Sequence, residues 1–233
     1  MPEPSTFWGL LLLNAGDPVG AVERFREAVR VSNESDIRAR AYTNWAAALY
    51  RQAQYDEAIR IAQKALEPDA AQADAYHIWG LVLAATDGRA TTPATPSRAA
   101  EQFKRAIEVN PRFIPAYFSL AQELERGNAL PAAIEQLRKA VDLDHGSAEG
   151  HIRLGRVLLR ARALTEAQQH LDRAIEMNPK SFDARNALGI GLMQHGDFKA
   201  AAGQFARAIE LSPREAAPHY NRGLIHRIGG DRE

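Results

Sequence analysis

The sequence predicts an all-α solenoid: about thirteen short helices, paired antiparallel and stacked along one axis. Three observations predict it. First, a phrase recurs. It reads RAIEVNP at 105–111, RAIEMNP at 173–179 and RAIELSP at 207–213, so the copies stand 68 and 34 residues apart. Second, stepping by 34 from Ala106 lands on Ala140, Ala174 and Ala208. Phe103, Leu137, Leu171 and Phe205 precede these by three residues, and Ala99, Ala133, Ala167 and Ala201 lie four further upstream. Third, an earlier signature accompanies each set: YHIWGLVL at 76–83, YFSLAQEL at 117–124, HIRLGRVL at 151–158 and RNALGIGL at 185–192. Apolar residues at helical spacing fill both halves of every repeat.

The elements follow in order. The first pair is expected near 4–15 and 18–31, on Trp8, Gly9 and Leu12, then Ala21, Phe25 and Ala28. NAGDP at 14–18 separates its helices, and the Asp of each Gly-Asp turn can cap the next helix. The second pair, near 37–52 and 55–67, rests on Tyr42, Trp45, Ala46 and Leu49, then Ala58, Ala62 and Ala65. Three extra residues, DIR at 36–38, precede it. The third pair, near 72–86 and 96–109, is split by TDGRATTPATPSR, 86–98, seven residues longer than the matching turn and expected to be an exposed loop. The remaining helices are expected near 113–126, 130–143, 147–160, 164–177, 181–194, 198–211 and 215–228. Each is too short to be stable alone. Small residues (Gly80, Ala121, Gly155, Gly189) recur where helices must approach, and Pro111, Pro179 and Pro213 end repeats. The repeats fall near 2–35, 39–72, 73–113, 114–147, 148–181 and 182–215, with a partial one at 216–229, and are expected to form one domain over 1–233.

Composition narrows the function. Lys+Arg and Asp+Glu each number 29 among 233 residues, so there is no basic excess for sequence-independent nucleic-acid binding. The absence of cysteine excludes disulfides, thiolate nucleophiles and Cys-ligated zinc. The apolar run FWGLLLL at 7–13 is too short to cross a bilayer and reads as core, with a cytoplasmic setting expected. GIGLMQHG at 189–196 lies inside a helical repeat with no strand before it, which removes the nucleotide-loop mechanism. The seven histidines show no zinc-helix spacing and are expected to be scattered, satisfied or facing solvent. No catalytic residue, cofactor or metal is expected.

These residues resemble the tetratricopeptide repeat (TPR) family, whose pattern is aromatic-x2-Leu-Gly-x2-Tyr, then Ala-x3-Phe, then Ala and Pro. Six copies in register carry the resemblance across nearly the whole chain. It implies a right-handed superhelix whose first helices line a concave groove for a peptide or partner protein. The expected function is a non-catalytic interaction scaffold. The alternative is the substrate- or partner-recruiting region of a larger enzyme, for example a transferase, continuing beyond residue 233. The groove candidates are Asn44, Tyr50, Arg126, Arg153, Arg156, Arg160, Asn186 and Asn221. Arg153, Arg156 and Arg160, spaced i, i+3, i+7, put three guanidiniums on one stripe. Two readings stand for that stripe: a groove for an acidic or carboxylate-bearing peptide, or a solvated face balanced by Glu123, Glu125 and Glu149. The family's Lys- and Asn-based clamp for two carboxylates is not reproduced, because Lys is nearly absent from the first helices. Self-association through the apolar first helix (Trp8, Leu10, Leu11, Leu13) is a further expectation.

Overall fold

The computed structural model describes residues 4–67, 71–86 and 97–230. They form thirteen α-helices and no strand. Helices of the first unit are α1 (Pro4–Asn14), α2 (Pro18–Val31), α3 (Ser35–Arg51), α4 (Tyr55–Leu66), α5 (Ala73–Thr86), α6 (Arg98–Val109) and α7 (Ile114–Arg126). Those of the second are α8 (Leu130–Leu143), α9 (Ala148–Arg160), α10 (Leu164–Met177), α11 (Phe182–His195), α12 (Phe198–Leu211) and α13 (Ala216–Gly230). The chain divides into two compact units at Asn128 and Ala129. The predicted order of helices holds throughout the described residues, and the predicted pairing holds within each unit. Most of the 86–98 insertion, residues 87–96, lies outside them. The three extra residues at 36–38 are not a loop; they lengthen α3 at its start.

In four of the repeats, a small residue on the first helix faces a large one on the second. A Cβ on Gly9 would lie 2.5 Å from the Phe25 ring, one on Gly80 2.5 Å from Phe103, and one on Gly189 2.5 Å from Phe205. Gly155 faces Leu171 in the same way, at 2.7 Å. The three phenylalanines are fully buried, so each of these helix pairs closes on an aromatic ring that only a glycine admits. Each second helix then packs on the first helix of the next repeat, as α2 on α3, α4 on α5 and α6 on α7, and again as α10 on α11 and α12 on α13. First helices also adjoin one another, α3 to α5 to α7 in one unit and α9 to α11 to α13 in the other.

The turns repeat with the helices. The residue that reverses the chain within a repeat has positive φ at Gly16 (82°), Ala53 (57°), Asn128 (56°), Arg162 (61°) and Gly196 (91°). The left-handed conformation is thus kept even where no glycine supplies it, at some local strain. Asp17 and Asp197 accept the N–H groups of Gly20 and Ala200 at 2.8 and 2.9 Å, the capping expected of the Gly-Asp turns.

A second recurrent bond is not evident in the sequence. The Tyr117 hydroxyl donates to the Pro111 carbonyl at 2.9 Å, Arg185 Nη2 to Pro179 at 3.1 Å, and His219 Nε2 lies 3.0 Å from the Pro213 carbonyl. Each joins a first helix to the carbonyl six residues upstream. The recurrent phrase is also more than packing. Its Arg and Glu form i,i+3 pairs: Arg105–Glu108 and Arg173–Glu176, both 2.8 Å, and Arg207–Glu210. Being exposed, each contributes only a few tenths of a kcal/mol.

Candidate functional site

The residue before the Gly or Ala of each first-helix signature (Trp45, Trp79, Leu120, Leu154, Leu188, Arg222) sets a common register. In the first unit, residues one before it and two, five or six after it converge. Ser119, Leu81, Gln122, Tyr50, Ala84, Ala85 and Arg126 line a pocket of about 200 Å³, with the Phe103 ring and Glu123 completing it. Tyr50 and Arg126, both expected on the groove, therefore share one pocket. Asn44, half-buried on α3, does not line it.

Glu123 corrects the sequence reading. One of the two readings of the arginine stripe counts it in a solvated face, yet it is only 7% exposed. Its register, three after the reference residue, is held by buried Ala48, Val82, Val157, Gly191 and Ile225 in other repeats. Two contacts satisfy its carboxylate. Arg126 Nη1 donates to Oε1 at 2.7 Å, and the Ser97 hydroxyl donates to Oε2 at 3.2 Å. Ser97 in turn caps α6 by accepting the Ala100 N–H at 3.0 Å, and Arg126 also reaches the Ala84 carbonyl near the end of α5 at 3.4 Å. One i,i+3 pair on α7 thus holds the end of α5 and the start of α6, the two stems of the insertion. Burial of a charge is offset here by charge-assisted bonds.

His77 lies beside this pocket. Its Nε2 is 2.9 Å from Ser119 Oγ, and its ring packs on Phe103 and Phe113 at 5.6 and 5.4 Å. Burial lowers its pKa from 6.5 to about 4.

In the second unit the same registers carry the arginine stripe. Arg153 stands one before the reference residue, Arg156 two after and Arg160 six after. Arg156 and Arg160 are exposed. The three are not an unpaired row: Arg153 Nε donates to Glu149 on its own helix at 2.6 Å. Asn186 and Asn221 are not independent groove donors either, because Asn221 Nδ2 donates to Asn186 Oδ1 at 3.1 Å. This contact joins α11 to α13 in the way that His77 and Ser119 join α5 to α7.

Two of the seven histidines, expected to be scattered, satisfied or facing solvent, meet each other. His151 Nδ1 and His170 Nδ1 stand 2.8 Å apart across α9 and α10. Among the described residues, no group of three His, Asp or Glu side chains could hold a metal ion, and no helix is long and apolar enough to cross a membrane.

Family models described as tetratricopeptide repeat match residues 123–190, residues 96–148 with 186–232, and residues 38–67. Solved structures resemble the chain along most of its length. Pseudomonas aeruginosa pilF gives a TM-score of 0.75 at 17% identity, over 94% of this chain and 96% of that one. YrrB, described as a TPR protein with an unusual peptide-binding site, gives 0.66 at 22% identity, over 87% and 99%. MamA of Desulfovibrio magneticus RS-1 gives 0.65 at 19%, over 76% and 96%. At these identities the likeness is one of fold. No curated protein matches the chain.

Proposed function

Because the chain belongs to the tetratricopeptide repeat family, we propose that it is a non-catalytic scaffold whose first helices receive an extended, acidic segment of a partner protein. One observation carries the reading: the registers that line the pocket in the first unit are those occupied in the second by Arg153, Arg156 and Arg160. Residues at these registers vary in polarity and charge from repeat to repeat, while the positions that close the helix pairs stay small or apolar. Arg156 and Arg160 are exposed and lie two and six residues past Leu154, on the side of α9 that corresponds to the pocket side of the first unit's helices. Guanidiniums at such positions favour carboxylate partners through paired, planar hydrogen bonds. A peptide-binding site is described for YrrB, which shares the fold.

The test uses synthetic extended peptides of acidic and of basic composition, titrated by fluorescence anisotropy against the full chain. Acidic peptides are expected to bind, with affinity falling as salt rises. Arg156→Glu combined with Arg160→Glu is expected to weaken that binding by about tenfold or more while helicity is kept. A folded double variant that binds acidic peptides as well as the parent does would remove the stripe from the binding surface.

A second reading is favoured by the exposure of α1. Phe7, Trp8 and Leu11 are 50%, 59% and 43% exposed on a helix that carries no charged residue. Self-association through this face is the corresponding proposal. Light scattering on a concentration series should then show mass rising with concentration, and Trp8→Glu with Leu11→Glu should abolish the rise. A constant monomer mass in the parent chain eliminates this reading.

A further inference from the structure

We propose that the contact between His151 and His170 is an acid-sensitive latch joining the two helices of the fifth repeat. The two Nδ1 atoms, 2.8 Å apart, can share only one proton: one donates and the other accepts. The rest of the fold decides which. His151 occupies the register of Tyr117, Arg185 and His219, each of which bonds the carbonyl six residues upstream. For His151 that residue is His145, and the His145 backbone does engage the ring. With Nδ1 turned to His170, the nitrogen serving the carbonyl is Nε2, which must carry hydrogen. His151 Nδ1 is then the acceptor and His170 Nδ1–H the donor. The lone pair of His170 lies at Nε2, 3.9 Å from Glu166 Oε1.

This arrangement accepts one proton and resists a second. The first goes to His170 Nε2, beside Glu166, and leaves the contact intact. The second has only the accepting Nδ1 of His151, so it breaks the contact and sets two imidazolium ions against each other. The surrounding charges oppose it further. Arg138 on α8 and Arg173 on α10 act on the pair, as does His145 in the turn before α9. Glu166 on α10 acts in the opposite sense and favours the protonated His170 ring. Both histidines are held below the ordinary value, chiefly by burial. A depressed imidazole value means that the folded state binds fewer protons than the unfolded chain. The stabilisation is therefore complete above the ordinary histidine range and is lost as pH falls through it.

The sixth repeat shows what the latch replaces. At the same two registers, Arg185 Nη1 donates to Gln204 Oε1 at 3.3 Å, a contact that does not titrate in this range. Gln also stands at this register at 102 and 136. The fifth repeat has thus exchanged a pH-indifferent pair for a titratable one.

The experiment compares the full chain with the His151→Arg, His170→Gln double variant, which installs the sixth-repeat pair, and with His170→Gln alone. Denaturant midpoints are measured by circular dichroism from neutral pH to about pH 5. The parent midpoint is expected to fall on acidification by more than that of either variant. Other titrating groups, His77 included, are common to all three chains and cancel. Long-range proton–nitrogen NMR at neutral pH is expected to find hydrogen on Nε2 of His151 and on Nδ1 of His170. Equal acid sensitivity in the parent and the folded variants overturns the proposal. So does finding both rings as Nε2–H tautomers that titrate independently.

Discussion

Phe205→Ala is expected to cost the second unit about 3–5 kcal/mol. The ring is fully buried and closes the sixth helix pair against Gly189. Gly189→Ala is expected to cost about 1–3 kcal/mol for the opposite reason, because its methyl would enter the space of the ring, 2.5 Å from its nearest atom. The two changes share one volume. The second repeat already pairs Ala46 with Ala62 at these registers, both fully buried, so the combination is one the fold accepts. The double variant is therefore expected to cost less than the sum of the singles, with a coupling of about 0.5–3 kcal/mol. Urea unfolding followed by circular dichroism measures all four corners of the cycle. Strict additivity would show that the glycine and the ring are not matched in volume.

The second large effect is one of pH. Burial holds His77 at about 4, against an ordinary value of 6.5. At about 1.4 kcal/mol per unit, protonation would remove stability on the order of 3 kcal/mol from the first unit. The folded value is depressed, so this stability is complete above pH 6.5 and is lost as pH falls from there through about 4. All three tryptophans, Trp8, Trp45 and Trp79, lie in that unit, and their fluorescence reports its unfolding selectively. Replacing His77 by Phe, the residue at the same register in Phe118, should flatten the profile despite the lost contact with Ser119. A parent midpoint unchanged across this window would contradict the assigned environment.

The repeat fold is legible in the sequence because a solenoid writes its packing at a fixed interval. Ala106, Ala140, Ala174 and Ala208 need no structure to be placed on second helices. The candidate site is legible only by register. Its residues can be assigned to first helices, but several of their partners come from other helices, and sequence spacing does not reveal those. Arg126 reads as a groove cation in the sequence because Ser97 and Ala84, which share its network, lie far away along the chain. A signal is nonetheless present. Glu123 breaks a register of Ala, Val, Gly and Ile, and a carboxylate in an apolar column calls for a buried partner. Stepping by 34 from His170 to Gln204 and from His151 to Arg185 likewise exposes the paired positions. Comparison with metal-site spacings does not find the two histidines; comparison with their counterparts in the next repeat does.

The bond from each first helix to the carbonyl six residues upstream acts as a ruler. It fixes how much chain can separate one repeat from the next at 111–117, 179–185 and 213–219. The turn inside a repeat is held by the backbone instead, the N–H groups of Asp17, Gln54, Ala163 and Asp197 donating to the carbonyls of Leu12, Leu49, Leu158 and Leu192, and the seven-residue insertion falls in the corresponding turn of the third repeat. Where three residues were added, at the start of α3, the gauge residue is Tyr42, and its ring stacks on Trp45 at 6.1 Å. Length in this architecture is therefore gauged by a side chain at one kind of joint and by backbone bonds at the other, and the insertion shows that the second kind can be lengthened. New segments grafted into this chain should be tolerated at the intra-repeat turns and rejected at the ruled ones.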